Sequence, residues 1–137
     1  MDDIAYVALG SNVGDRAQHL EDAIERIALI PESRIVAKSS VEQTEPLGSL
    51  AQAPYLNQML ALQTALAPPA LLSYLTAAEI AGGRTRSIRW APRTIDLDIV
   101  KYATTVWDSP ELKVPHAEID NRDFWLRELA ELDEIMH

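Results

Sequence analysis

The chain has 137 residues and a formal net charge of -9, a balance that argues against a general nucleic-acid binder, because phosphate backbones are bound by many facing cations. It contains no cysteine, which excludes disulfides and thiolate metal sites. Its length and its 47% of hydrophobic residues are sufficient to form one buried core, and we predict a single domain over residues 1–137.

The amino-terminal half predicts a strand, a helix and two further strands. Residues 4–10 form an almost continuous apolar run that ends at a Gly-Ser-Asn turn, which is typical of a buried strand. A helix follows, with Asp15 as its N-cap and Pro31 at its end. We predict a second strand from Ser33 to Glu45 and a third from Tyr55 to Leu66, where side chains alternate.

The second half predicts a helix, a strand and a last helix. Two prolines open the second helix and Gly82-Gly83 ends it. Thr94–Val100 alternates as a strand, a short strand is predicted near Trp107, and the last helix runs from about Asn121 or Asp123 to Ile135. The order favours an α+β sandwich of the ferredoxin-like kind, a largely antiparallel sheet with helices on one face.

The predicted strand after Pro92 carries two carboxylates. Asp96 and Asp98 share one face of it, because strand side chains alternate. At about 3.3 Å rise per residue, their Cα atoms lie about 7 Å apart. Two carboxylates at this spacing can ligate a shared divalent cation or a pair of cations.

A cluster of cations precedes these carboxylates. Four of the nine arginines lie in an interval that contains no acid, namely Arg84, Arg86, Arg89 and Arg93. Such a cluster in an acidic chain favours a small anionic ligand, best matched by polyphosphate. A solvated basic loop paired with acidic neighbours would have the same composition. The adjoining Asp96 and Asp98 favour the polyphosphate interpretation.

Three other side chains have an ordinary structural interpretation when they are judged alone. A buried amide such as Asn57 more often satisfies a backbone group than a ligand. A lone histidine such as His116, beside a proline, is more often structural or exposed. Phe124 lies at the start of the last helix, where core packing is its default role.

Five segments spread over nearly the whole chain match the motifs of one family in the right order. They are Tyr6-Val7-Ala8-Leu9-Gly10-Ser11-Asn12, Thr44-Glu45-Pro46-Leu47-Gly48, Tyr55-Leu56-Asn57, the stretch from Arg89 to Ile99, and Val114-Pro115-His116 with Asn121-Arg122 and Phe124. Together they resemble the 6-hydroxymethyl-7,8-dihydropterin pyrophosphokinases of folate biosynthesis.

The resemblance implies an enzyme that transfers pyrophosphate from ATP to 6-hydroxymethyl-7,8-dihydropterin and releases AMP. It implies that Asp96 and Asp98 hold two Mg²⁺ ions and act with Arg84, Arg86 and Arg93 in catalysis. The implied contacts of ATP, the co-substrate, are Glu79, Arg84, Arg86, Arg89, Arg93, Ile99 and His116. The implied contacts of the pterin are Thr44, Leu47, Tyr55, Asn57, Trp90 and Phe124. The structural interpretations of Asn57, His116 and Phe124 are thereby reversed.

Two alternatives stay open at this point. Another Mg²⁺-dependent, nucleotide-using transferase with an Asp-x-Asp strand would explain the carboxylates, but not Tyr55, Asn57 and Phe124 together. A non-catalytic ferredoxin-like ligand-binding domain would not need the carboxylates. The amino terminus shows no secretory signal, and no segment of about 20 residues is uniformly apolar. We therefore expect a cytoplasmic monomer that uses small-molecule substrates and binds neither nucleic acid nor membrane.

Overall fold

The computed structural model describes residues 2–45, 54–83 and 94–137. Within these ranges the regular elements follow the predicted order. The strand expected near Trp107 pairs with one further short strand, and a single 3₁₀ turn is added. The elements are β1 (Asp3–Ser11), α1 (Arg16–Ala28), β2 (Ser33–Lys38), β3 (Glu42–Thr44), β4 (Tyr55–Thr64), α2 (Pro68–Ala81), β5 (Asp96–Tyr102), β6 (Trp107–Ser109), β7 (Leu112–Val114), the 3₁₀ turn (Ile119–Asn121) and α3 (Asp123–Met136).

The main sheet has the strand order β2-β4-β1-β5, and β3 also pairs with β4. Every neighbouring pair is antiparallel. Helix α1 therefore connects two strands, β1 and β2, that run the same way with β4 between them, and α2 connects β4 and β5 across β1. This is the ferredoxin-like arrangement, so the predicted α+β fold with a largely antiparallel sheet is confirmed.

The helices occupy both faces of this sheet, and the expectation that they all lie on one face is wrong. One buried cluster joins the sheet to α1 and α2 and contains Leu9, Leu62 and Leu75. The other joins the opposite face to α3 and contains Ala61 and Trp125. Both faces of β1 and β4 are consequently covered, because alternate side chains of each strand enter different clusters.

The single strand predicted from Ser33 to Glu45 is interrupted between β2 and β3. The carbonyl of Ser39 accepts a hydrogen bond of 2.8 Å from the side chain of Gln58, and the backbone N–H of Ser40 donates to Glu131 of α3 at 2.8 Å. Side chains distant in the sequence thus satisfy backbone groups that a continuous strand would pair within the sheet. The strand is interrupted at Ser39 and Ser40 for this reason.

Other predicted boundaries agree with the structure to within a few residues. Asp15 is the N-cap of α1, and its carboxylate accepts from the backbone N–H of Gln18. The strand expected from Thr94 begins at Asp96, because the Thr94 hydroxyl donates to the Gly82 carbonyl and ties the approach to the end of α2. Among the described helices, none combines the length and the apolar character needed to cross a bilayer.

Candidate active site

A cavity of about 330 Å³ opens on the α3 side of the sheet, where β1 ends and where β4 and β5 begin. Its wall is built from four strands, the residue after β3, one residue of α2 and the start of α3. The lining residues are Ala8, Leu9, Gly10, Thr44, Glu45, Tyr55, Asn57, Glu79, Asp96, Asp98, Arg122, Phe124 and Trp125. Seven of the described residues that the resemblance places in the site therefore line this cavity.

The two aspartates lie on the same face of β5, as predicted. Asp96 and Asp98 are partly exposed, whereas Leu97 between them is buried in the core on the other side. In the register with β1, Asp96 is opposite Gly10 and Asp98 is opposite Ala8. Because these two neighbours are small, the carboxylates have open space in front of them.

Glu79 reaches the same strand from α2. Its side chain is only 7% exposed, and its Oε2 atom accepts a hydrogen bond of 2.8 Å from the backbone N–H of Leu97. That N–H is on the free edge of β5, since the other edge pairs with β1. The glutamate therefore holds the strand midway between Asp96 and Asp98.

Asn57 lies on β4 in line with Gly10 of β1 and Asp96 of β5. Its Nδ2 donates a hydrogen bond of 2.5 Å to the hydroxyl of Thr44, with the amide orientation assigned from this contact. Its Oδ1 is directed towards Gly10, because a Cβ added there would lie 3.2 Å from that oxygen. The amide thus presents an acceptor to the cavity while its donor side is held in place.

Aromatic rings form two walls of the cavity. Tyr55 belongs to β4, two residues before Asn57 and on the same face, and Phe124 belongs to the first turn of α3. Phe124 also makes an edge contact with Trp125, with ring centroids 6.2 Å apart. The side chains thus placed combine large apolar surfaces with a few polar atoms, as small-molecule sites do.

Arg122 was not predicted as a site residue, yet it lines the cavity. Its guanidinium carbon lies 4.4 Å from the centroid of the Trp125 ring, and its buried Nε has no hydrogen-bond partner within the described ranges. A stacked guanidinium with an unpaired donor is suited to an anion. Arg122 is itself one of the residues that carry the family resemblance, and this was the available signal.

His116 and Ile99 lie near the cavity rather than in its lining. The His116 ring packs edge-on against Trp125 at 5.0 Å, and its Nδ1 accepts from the backbone N–H of Glu118. The neutral ring therefore carries its proton on Nε2, which is suited to donate to a ligand. The side chain of Ile99 is buried in the core beside α1 and α2, so only its backbone can contact a nucleotide.

The remaining predicted site residues fall outside the described ranges. These are Leu47, Arg84, Arg86, Arg89, Trp90 and Arg93. Their roles stay predictions.

The described lining carries four carboxylates, from Glu45, Glu79, Asp96 and Asp98, and one guanidinium, from Arg122. A polyphosphate would be repelled by such a surface unless cations lay between them. Carboxylate oxygens on one face of a strand are the ligand type that Mg²⁺ uses, usually as one or two carboxylates with substrate phosphates. The residues present thus fit a magnesium-bound polyphosphate.

Comparisons with known proteins agree with this geometry. The family model of 7,8-dihydro-6-hydroxymethylpterin-pyrophosphokinase (HPPK) matches residues 6–134. Two curated relatives are both named 2-amino-4-hydroxy-6-hydroxymethyldihydropteridine pyrophosphokinase. The Pseudomonas aeruginosa protein is 43% identical over 93% of this chain and 78% of its own length. The Bacillus subtilis protein is 39% identical over 96% of this chain and 79% of its own length.

Solved structures show the same fold. The chain superimposes on an HPPK-DHPS in complex with substrates with a TM-score of 0.71 at 12% identity, over 95% of this chain and 39% of that one. The Plasmodium falciparum HPPK-DHPS gives a TM-score of 0.72 at 12% identity, over 96% of this chain and 42% of that one. At this identity the likeness concerns the fold alone, whereas the family model and the curated relatives establish kinship. The chain belongs to the 7,8-dihydro-6-hydroxymethylpterin-pyrophosphokinase family.

Proposed function

We propose that this chain performs the reaction of its family through the cavity on the α3 side of the sheet. As a pyrophosphokinase it transfers a pyrophosphoryl group from ATP to 6-hydroxymethyl-7,8-dihydropterin in folate biosynthesis, and AMP leaves. The observation that carries the assignment of the site is the convergence of Asp96 and Asp98 with Tyr55, Asn57 and Phe124 around one cavity.

On the pterin side, the aromatic rings contact the faces of the heterocycle and the amide of Asn57 contacts its polar edge. Tyr55 and Phe124 offer apolar faces to the flat heterocycle, and such stacking adds about 0.5–1.5 kcal/mol beyond area burial. Asn57 offers Oδ1 to ring N–H groups while Thr44 fixes the amide. We also assign Leu47 and Trp90 to the pterin, on the resemblance.

On the ATP side, Asp96 and Asp98 would hold Mg²⁺, and we propose two ions. Bound there, magnesium neutralises phosphate charge and aligns the polyphosphate. Arg122 adds a cation from the opposite wall. We assign the predicted arginines to the phosphates, and Glu79, the Ile99 backbone and His116 to the nucleotide.

The reaction asks mainly for alignment and charge stabilisation. The hydroxymethyl oxygen of the pterin attacks the β-phosphorus of ATP, the bond from that phosphorus to the α-β bridging oxygen breaks, and the hydroxyl proton is lost. Phosphoryl transfers of this kind depend on positioning and electrostatics more than on covalent catalysis. Because the pterin and phosphate walls meet at the row formed by Asn57, Gly10 and Asp96, the two substrates are brought together there.

Replacement of one metal-binding carboxylate tests this assignment. Asp98→Asn removes a charge from the cavity without altering its shape, so AMP formation from ATP and the hydroxymethylpterin should fall at least about 100-fold. The fold should persist, as judged by circular dichroism and thermal unfolding. The matched control is Asp133→Asn, on the exposed last turn of α3, which should keep full activity.

Two outcomes would contradict the proposal. Substantial magnesium-dependent turnover by Asp98→Asn would remove this aspartate from the metal site. Absence of AMP release by the wild-type chain with ATP, Mg²⁺ and the pterin would remove the activity itself.

We propose further that the chain works as one domain and as a cytoplasmic monomer on these two small molecules. The match of one family model to residues 6–134 supports the single domain. Size-exclusion chromatography with light scattering should give a mass near 15.2 kDa. A stable dimer with full activity only in that form would contradict it.

A further inference from the structure

Two side chains of α3 hold the chain segment that contains β3, and a third lies between them. Glu131 accepts hydrogen bonds from the backbone N–H and the hydroxyl of Ser40, at 2.8 and 2.9 Å. Arg127 donates to the carboxylate of Glu42 at 2.6 Å. The third side chain, Glu128, lies between these two positions and is turned inwards. Together they tie the last helix to the short strand across the edge of the sheet.

Glu128 is unusual because it is a buried carboxyl group without a cation of its own. It is 1% exposed, and neither of its oxygens makes a well-directed hydrogen bond within the described ranges. Glu42 belongs to the segment that α3 holds, and its carboxylate accepts a hydrogen bond from Arg127, the residue that precedes Glu128. An ionised carboxylate so placed would lack both water and a partner, which is costly.

The surroundings favour the neutral form of Glu128. Burial raises its pKa to about 8, and the charge of nearby Glu42 acts in the same direction. Within α3, Arg127 lowers the pKa and Glu131 raises it, while Asp123 acts on Arg127. The neighbouring strands β2 and β4 present the apolar side chains of Ala37, Met59 and Ala61 to this layer.

This carboxyl pair connects two walls of the proposed pterin site. In the register of β3 with β4, Glu42 lies opposite Asn57, and Thr44, two residues further on, receives the hydrogen bond from Asn57. On the helix, Glu128 follows Phe124 by four residues and so lies on the same side one turn later. A change at the pair is therefore transmitted to both walls.

We propose that the Glu42 and Glu128 carboxyl groups act as a proton-dependent clamp that sets the spacing between the Asn57 and Phe124 walls of the pterin site. When Glu128 is protonated, the Glu42 carboxylate has a neutral group beside it, and α3 lies against β3. When Glu128 is ionised, the two carboxylates repel each other, and the walls separate. Glu42 and Glu128 are thus positioning residues, and the inference rests on the proposed pterin site.

The test measures pterin affinity as a function of pH. The dissociation constant of 6-hydroxymethylpterin, followed by fluorescence, is determined at about pH 6 and about pH 9 for the wild type and for Glu128→Gln. Coupled sites typically differ about 5- to 150-fold in affinity, so wild-type affinity should fall at least about fivefold at the higher pH relative to the variant. The amide of Glu128→Gln keeps the shape of the side chain but cannot ionise. Any pH dependence of pterin affinity in this variant therefore comes from the ligand or from other groups of the protein.

Two controls sharpen the measurement. Glu134→Gln, on the exposed side of α3, should follow the wild type at both pH values. Binding of a non-hydrolysable ATP analogue should respond to pH equally in wild type and Glu128→Gln, because the clamp bears on the pterin walls only.

The possible failures are distinguishable. An equal pH response of pterin binding in wild type and Glu128→Gln would overturn the clamp and leave the site standing. Absence of pterin binding by the wild type at either pH would overturn the proposed pterin site and the clamp with it.

Discussion

At the scale of single residues, the smallest side chain of the site has a large effect on its shape. Gly10 lies in the middle of the row that joins Asn57 on one neighbouring strand to Asp96 on the other. The cavity floor is open there only because no Cβ is present. A side chain at this position would occupy the place where the two substrates are expected to meet.

Gly10→Ala should therefore impair catalysis without destabilising the protein. Its methyl carbon would lie 3.2 Å from the Oδ1 of Asn57 and 3.6 Å from the ring of Tyr55. The methyl group would occupy the floor on which the pterin is expected to lie, and because about 1.4 kcal/mol of lost binding is tenfold in affinity, the KM for the pterin should rise about tenfold.

The melting temperature should stay the same or increase, because alanine suits a strand better than glycine. An unchanged pterin KM in steady-state assays would show that the ring does not occupy this floor.

At the scale of elements, Asp96 and Asp98 belong to β5, a strand at the edge of the sheet that is held by contacts outside the sheet. Strand β5 pairs with β1 on one side, and on its other side α2 supplies the carboxylate of Glu79 to the N–H of Leu97. The approach to β5 is tied down as well, since the hydroxyl of Ser11 donates to the Thr94 carbonyl at 2.6 Å. The helix thus contributes to the site mainly by holding a strand.

Glu79→Ala and Glu79→Gln should distinguish the hydrogen bond that Glu79 accepts from Leu97 from the effect of the negative charge of Glu79. Alanine leaves the N–H of Leu97 without its acceptor, which should lower the free energy of unfolding by about 1–3 kcal/mol. Glutamine keeps an oxygen in place and should lose less. Glu21→Ala, exposed on α1, is the control for a simple loss of charge. Equal destabilisation by alanine and glutamine in urea unfolding would refute the supporting role.

At the scale of the whole molecule, the two faces of the sheet differ in what they contribute to stability and to binding. The layer between the sheet and the first two helices is a continuous apolar core. The layer between the sheet and α3 is smaller and merges into the cavity, with Trp125 in both. It also contains Glu128, so the binding layer is the one whose packing responds to pH.

Stability should reflect this buried carboxyl group. The pKa of Glu128 is about 8 in the folded chain against 4.5 for its ordinary value, so between these limits the folded state holds a proton that the unfolded state lacks. Its contribution to stability therefore falls as pH rises through this window, by about 1.4 kcal/mol per pH unit, and is lost above it.

In Glu128→Gln the side chain cannot ionise, so the free energy of unfolding does not fall with pH on its account. The difference in free energy of unfolding between variant and wild type, from urea titrations, should increase from about pH 5 to about pH 8 and then level off. A difference independent of pH would mean that Glu128 ionises at its ordinary pKa.

Local patterns predicted most of this molecule, and contacts between distant segments account for the rest. Alternation alone placed Asp96 and Asp98 on one face, and a single aspartate marked the start of α1. The apolar stripe of α3 showed that the helix packs, but a stripe cannot specify which face of a sheet it covers. The helical spacing of Trp125, Glu128 and Leu132 places Glu128 on the buried side of α3, but a glutamate is the residue type least expected there.

The position of α3 also has a consequence for the order in which the site is completed. Every strand of the main sheet precedes α3 in the chain, so the sheet and its first two helices can assemble while the last helix is still being synthesised. The nascent chain would then possess the carboxylates that we propose for magnesium before it possesses Arg122 and Phe124. The capacity to bind pterin should accordingly appear as the last event of folding.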